Sequence, residues 1–199
     1  MRFINPPFTA TTLWKWIKKG AVAPDYRLYH SWRPLKEISP HIRRAVLAGE
    51  DQRFLSHHGF DFTEMNEAVK DMVLKNEYRG ASTISMQSAR TVFLWPERSV
   101  FRKAAEAYYT VLIEIFWGKE RILEIYLNTV DWGKDTLGVE AAAKRYFDRS
   151  ASSISVSQAA LLAAILPNPH KWSPIHPSPV VLKRKKRILR DMKIMPLIP

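Results

Sequence analysis

Helix punctuation recurs along this chain while strand patterning does not, and that contrast restricts the fold more than any other feature. Ser39-Pro40, Ser155-Val156-Ser157-Gln158 and Ser178-Pro179 each place a capping hydroxyl ahead of a helix start. Pro40 and Pro179 also suit the first helical position, and Gly59, Gly118 and Pro167-Asn168-Pro169 supply stops. Apolar residues between these marks repeat at helical spacing. Helices are predicted over 40–58, about 62–75, the apolar residues after the Gly80 stretch, 101 to about 117, 119–128, 138–147, 158–166 and from 179 onward. No clear strand run, internal repeat or interdomain linker is visible, so the chain is expected to be mainly α.

Within the 40–58 helix, Ile42, Val46, Glu50 and Phe54 fall at successive four-residue intervals, which sets a carboxylate in an apolar stripe. Taken out of water, a carboxyl group has its pKa raised and becomes a better proton acceptor near neutral pH. The plainer alternative is a Glu at the stripe's edge, paired with Arg53 or Arg44. Glu106 has the opposite setting, one turn from Arg102 and Lys103, which favour its ionised form. Two carboxylates in contrasting environments suggest divided acid/base labour, most often on sugars. Arg90, Arg98, Arg102 and Lys103 gather around Glu106 and suit a phosphate-bearing substrate, which hydrolysis of a neutral polysaccharide does not need.

The other segments offer paired readings. The stretch Arg79-Gly80-Ala81-Ser82-Thr83 leads into a helix and could aim N–H groups and hydroxyls at an anion, or be an ordinary capped start. It lacks the spacing of a nucleotide-binding loop. Leu13, Trp14, Trp16 and Ile17 alternate with Lys15, Lys18 and Lys19, as in a helix at a membrane interface or one docked on the core. The aromatic-rich stretch from Phe93 to Phe101 is either a contact surface or buried beneath a helix. Lys183 to Arg187 with Arg190 form a solvated charged face or an anion-facing one.

Composition narrows the classes. A chain of 199 residues with 46% hydrophobic content supports one packed domain, and a net charge of +12 predicts an anionic partner. With no cysteine, a disulfide framework, a thiolate zinc site and a cysteine nucleophile are excluded. No apolar run reaches the roughly 20 residues needed to cross a bilayer, and no secretory signal pattern opens the chain.

The sequence resembles the monofunctional peptidoglycan glycosyltransferases, whose domain also occurs in bifunctional penicillin-binding proteins. The likeness covers most of residues 37–172. Glu50-Asp51 with Phe54, His57 and Gly59 matches the first family motif, and Gly80, Ser82-Thr83-Ile84 and Gln87 the second. Arg102-Lys103 with Glu106 matches the third, and Lys119, Ile122-Leu123 and Tyr126-Leu127-Asn128 the fourth. Gly138-Val139-Glu140-Ala141-Ala142 and Ala160 to Ala163 with Pro167-Asn168-Pro169 also fit. Met86 departs from the family pattern, as does Arg90-Thr91.

This resemblance implies a lysozyme-like helical fold with a small membrane-associated second lobe, divided into a membrane-proximal segment 1–36 and a catalytic domain 37–199. The implied substrate is lipid II, added to a growing glycan strand. Glu50 would deprotonate the acceptor 4-hydroxyl, and inverting attack would release the lipid diphosphate. Glu106 would hold the diphosphate region directly or through a divalent Mg or Mn ion, with no organic cofactor. Asp51, Ser82, Thr83, Gln87, Arg90, Arg98, Arg102 and Lys103 are the implied substrate-binding residues. The expected setting is the periplasmic face of an inner membrane, normally reached through an N-terminal anchor not seen in this sequence. The expected partners are the membrane surface and cell-wall synthase or division proteins, but no nucleic acid. Neither Ser-x-x-Lys nor Lys-Thr-Gly occurs, so no transpeptidase is expected. Two rivals stand: a lysozyme-like muramidase of finished wall, and a module that binds nucleic acid or anionic membrane through charge alone.

Overall fold

The computed structural model describes residues 4–19, 32–76, 80–97, 99–133 and 136–198. The helices among them are α1 (Ala10–Lys19), α2 (Pro40–Glu50), α3 (Phe62–Lys75), α4 (Ile84–Phe93), α5 (Val100–Phe116), α6 (Lys119–Thr129), α7 (Val139–Phe147), α8 (Val156–Ile165) and α9 (Pro179–Asp191). The only strand-like pairing among the described residues is an isolated bridge between Asp131 and Leu137, so the chain is mainly α as expected. No described helix is long and apolar enough to cross a membrane.

The punctuation works as the sequence predicts. Ser155 and Gln158 form a reciprocal capping box that opens α8. Ser39 and Ser178 cap α2 and α9, each with proline in the first turn. Asp61 caps α3 through the Glu64 N–H, and Ser99 caps α5 through that of Arg102.

Helix α8 is apolar nearly all round and buries Ala159, Ala160, Leu162, Ala163, Ala164 and Ile165. Its small side chains let α2 and α9 pack against it closely, and the three form the centre of the core. A second packed group joins α4 to α5 and α6, with α1 against α4. The α1 contact includes Thr11 Oγ1 donating to the Leu94 carbonyl and Trp14 Nε1 donating to Glu97, which supports the docked reading of this helix. The Phe93–Phe101 stretch divides: Phe93 stacks on Tyr109 and Leu94 is buried, whereas Val100 and Phe101 face outward. Arg98 and the segment 20–31 lie outside the described residues, as does Arg79.

One predicted helix is shorter than expected. Instead of running to residue 58, α2 ends at Glu50, and Asp51 leaves helical geometry with φ −161° and ψ 77°. The cause is tertiary: the Asp51 carboxylate turns aside to accept the backbone N–H of Ile84 at 2.9 Å. Phe54 is still buried, but through the turns that follow and not as part of a continuous stripe.

Candidate active site

Glu50 thus stands at the C-terminal end of α2, where the helix dipole already disfavours negative charge. Its Oε2 accepts Gln87 Nε2 at 3.2 Å, and Arg184 Nη2 lies 3.5 Å from Oε1. Burial pushes the Glu50 carboxyl above the ordinary carboxylate range, and the Gln87 hydrogen bond and Arg184 charge only partly offset it. A group so poised accepts a proton more readily than a solvated carboxylate.

The turn after Glu50 is sewn to the start of α4. Asp51 accepts His57 Nε2 at 3.0 Å as well as the Ile84 N–H, while His57 Nδ1 accepts the Gly59 N–H at 3.2 Å. Thr83 Oγ1 donates to the Gly59 carbonyl at 2.6 Å and accepts the Met86 N–H at 3.1 Å, capping α4. Gly59 has φ +95°, and a Cβ there would come within 2.8 Å of Thr110 Cγ2 on α5. Asp51 and Thr83, implied as substrate-binding, are therefore buried and occupied within the protein. Their observed work is to fix α4, which carries Gln87 and Arg90, against the Glu50 turn. Met86 packs inward, which accounts for methionine at that position.

Gln87 is engaged with Glu50 on one side and with the Tyr126 hydroxyl on the other, which donates to its Oε1 at 3.3 Å. Ser82 is half-buried, with its carbonyl 3.5 Å from Gln87 Nε2, and Arg90 is half-buried further along α4.

Glu106 is fully buried on α5, with Arg102 Nη1 2.6 Å from one oxygen and Lys103 Nζ 2.6 Å from the other. Of these two cations, Lys103 is the exposed one, its side chain 51% accessible. The donor set does not fit a divalent cation held at Glu106, since both oxygens already carry a cationic partner. Among the described residues the one cluster of three metal-type ligands is Asp51, His57 and Asp61. It too is engaged, because Arg53 makes two hydrogen bonds to Asp61 at 2.6 and 3.0 Å, and a third comes from the Glu64 N–H at 2.8 Å. Beneath the site, Glu114 accepts hydrogen bonds from Ser85 and from Lys119 Nζ, which also sits 4.5 Å over the Phe54 ring.

Arg184 was not singled out by sequence, where it is one cation in a basic run. It occupies the inner face of α9 between the buried Val181 and Ile188, three and four residues away. Its guanidinium caps two helix ends, with Nε donating to the Ala164 carbonyl at 3.2 Å and Nη2 to that of Gly49 at 3.5 Å. The helical spacing Val181, Arg184, Ile188 is the signal that separates it from its solvated neighbours.

The fold thus holds two contrasting carboxylates, Glu50 desolvated at the end of α2 and Glu106 on α5 held between two cations, the contrast by which acid and base roles are divided. The model of the transglycosylase family matches residues 19–193, and the chain belongs to that family. It is 49% identical over 170 residues to the biosynthetic peptidoglycan transglycosylase of Bacteroides thetaiotaomicron, covering 85% of this chain and 68% of that one. The Chromohalobacter salexigens protein of the same name is 51% identical over 166 residues, 83% of this chain and 71% of its own. A third, from Caulobacter vibrioides, is 46% identical over 187 residues, covering 94% and 79%.

Proposed function

We propose that this chain is a peptidoglycan glycosyltransferase that lengthens glycan strands from lipid II at the cell envelope. The observation that carries the chemistry is the environment of Glu50, raised in pKa by burial yet reached by the Gln87 amide and Arg184. In this reading Glu50 takes the proton from the acceptor 4-hydroxyl as the oxygen attacks the anomeric carbon of the growing strand. The bond to the lipid diphosphate breaks on the opposite face, and the configuration inverts. Arg90, Arg102 and Lys103 neutralise the departing diphosphate, with Glu106 holding Arg102 and Lys103 in place. No step is assigned to a protein-held metal.

The outward apolar faces of α3 and α5 support contact with the bilayer that carries the lipid substrate. Phe62, Met65, Val69, Met72 and Val73 repeat along α3, which buries no residue, and Phe101, Tyr108, Ile115 and Phe116 are exposed on α5. We assign the family's membrane-associated lobe to these two helices.

Incubation with labelled lipid II, in parallel with purified cell wall, tests the function. Glycan polymer from lipid II, lost in Glu106→Gln as the diphosphate site is disturbed, is the expected result. Soluble fragments from finished wall, with no polymer, would replace the transferase by a muramidase.

A further inference from the structure

We infer that Tyr126 is a positioning residue: its hydroxyl holds the Gln87 amide so that the NH2 group, and not the carbonyl, meets Glu50. Gln87 lies between three polar groups. Its Nε2 is 3.2 Å from Glu50 Oε2 and 3.5 Å from the Ser82 carbonyl, both acceptors when Glu50 is ionised. Its Oε1 takes the Tyr126 hydroxyl at 3.3 Å. Turning the amide over would set its carbonyl against the carboxylate and a second carbonyl, two acceptor contacts without a proton between them. Removing the phenol hydroxyl would leave Oε1 without that donor in a partly buried setting and weaken the preference for the observed orientation.

Tyr126 is suited to this task. It comes from α6, is only 2% exposed, and is packed into the main core, so its hydroxyl has little freedom to follow a moving amide. Burial pushes its phenol well above the usual range, with Glu50 acting in the same direction, which preserves the proton it donates. A buried tyrosine therefore acts on the carboxylate through an intervening amide, across three helices.

The other groups around Glu50 do not duplicate this control. Arg184 and Arg187 reach it from α9 and favour its ionised form, while neighbouring Asp51 opposes it. Arg90 of α4 lies near Tyr126 and favours the phenolate. Helix α8, packed on α2, carries no ionisable side chain. Among the described residues, Gln87 is the one uncharged side chain that donates to the carboxylate, and Tyr126 donates to the Gln87 side chain.

This inference rests on Glu50 as the base, and two readouts separate the claims. The midpoint of Glu50 is followed by carboxyl 13C NMR in the whole chain, and the acid limb of lipid II polymerisation is measured in the same variants. Tyr126→Phe should raise the midpoint by about half to one pH unit, the worth of one weakened hydrogen bond. Gln87→Ala should raise it at least as far, and the double variant should go no further than Gln87→Ala alone. An unchanged midpoint in Tyr126→Phe, or additive shifts, would overturn the positioning role. If the midpoint moves and the acid limb does not follow, positioning stands and the base assignment fails. Should Tyr126→Phe not fold, a 3-fluorotyrosine at position 126 keeps the ring and strengthens the donor. The midpoint should then fall, and no movement would overturn the inference.

Discussion

Helices α8 and α5 obey opposite rules. Helix α8 buries alanine, leucine and isoleucine, as a core helix of a water-soluble domain does. Helix α5 buries Arg102, Glu106, Thr110 and a single large apolar residue, Ile113, while Phe101 is 86% and Ile115 68% exposed. The difference lies in which side chains each helix keeps from water. A buried charge needs its partner inside with it, and α5 turns its polar stripe inward so that Arg102 meets Glu106 there. Its apolar side is then left facing out, a stable arrangement once that side meets a non-aqueous neighbour.

The sharpest way to break this contrast is Leu162→Ala in α8, which should cost about 2–5 kcal/mol in urea unfolding by opening a core cavity. Next comes Arg102→Ala in α5, expected to cost about 2 kcal/mol, because Glu106 would stay buried with only the more exposed Lys103 as partner. A smaller loss than for Lys103→Ala would contradict the buried pairing. Least for stability, and most telling for the membrane, is the pair Phe101→Ser and Ile115→Ser. Each should change unfolding free energy by less than about 0.5 kcal/mol. Together they should weaken flotation with anionic vesicles by tenfold or more, from about 1.5–3 kcal/mol of apolar burial at each site. Unchanged flotation would remove α5 from the membrane contact.

The same contrast governs what the sequence could disclose. Helix boundaries were legible wherever a local cap sets them, as at Ser155-Gln158 and Ser178-Pro179, since a cap is read within one turn. The end of α2 was not, because Asp51 answers to Ile84, 33 positions along the chain. Position 50 stood out as a carboxylate on an apolar face, and Glu106 as one between two cations; the structure keeps both environments. Periodicity located α5 but could not say that its apolar face points outward, as a repeat gives a stripe without naming its neighbour. Arg184 and the Tyr126–Gln87 contact were hidden for a related reason: they join helices distant in sequence, and composition alone reads Arg184 as surface charge.

The pH dependence of stability carries the account from the fold to the reaction. Glu50 has a folded-state pKa raised above its unfolded value, so the folded chain holds more protons than the unfolded one between those two values. Stability therefore falls as pH rises through that window, and the ionised Glu50 remains a cost above it. Glu50→Gln should consequently unfold at a higher temperature than wild type at pH 8, with the advantage disappearing at acid pH, where both side chains are neutral. With Glu50 as the base, as proposed, this is the trade of stability for activity that a desolvated base makes.

The most direct test is the rate of glycan polymerisation from labelled lipid II by Glu50→Gln at pH 8, in a preparation whose melting curve shows it folded. The account predicts a loss of about a hundredfold or more, as for removal of a general base. A folded Glu50→Gln protein that polymerises lipid II at the wild-type rate would contradict it.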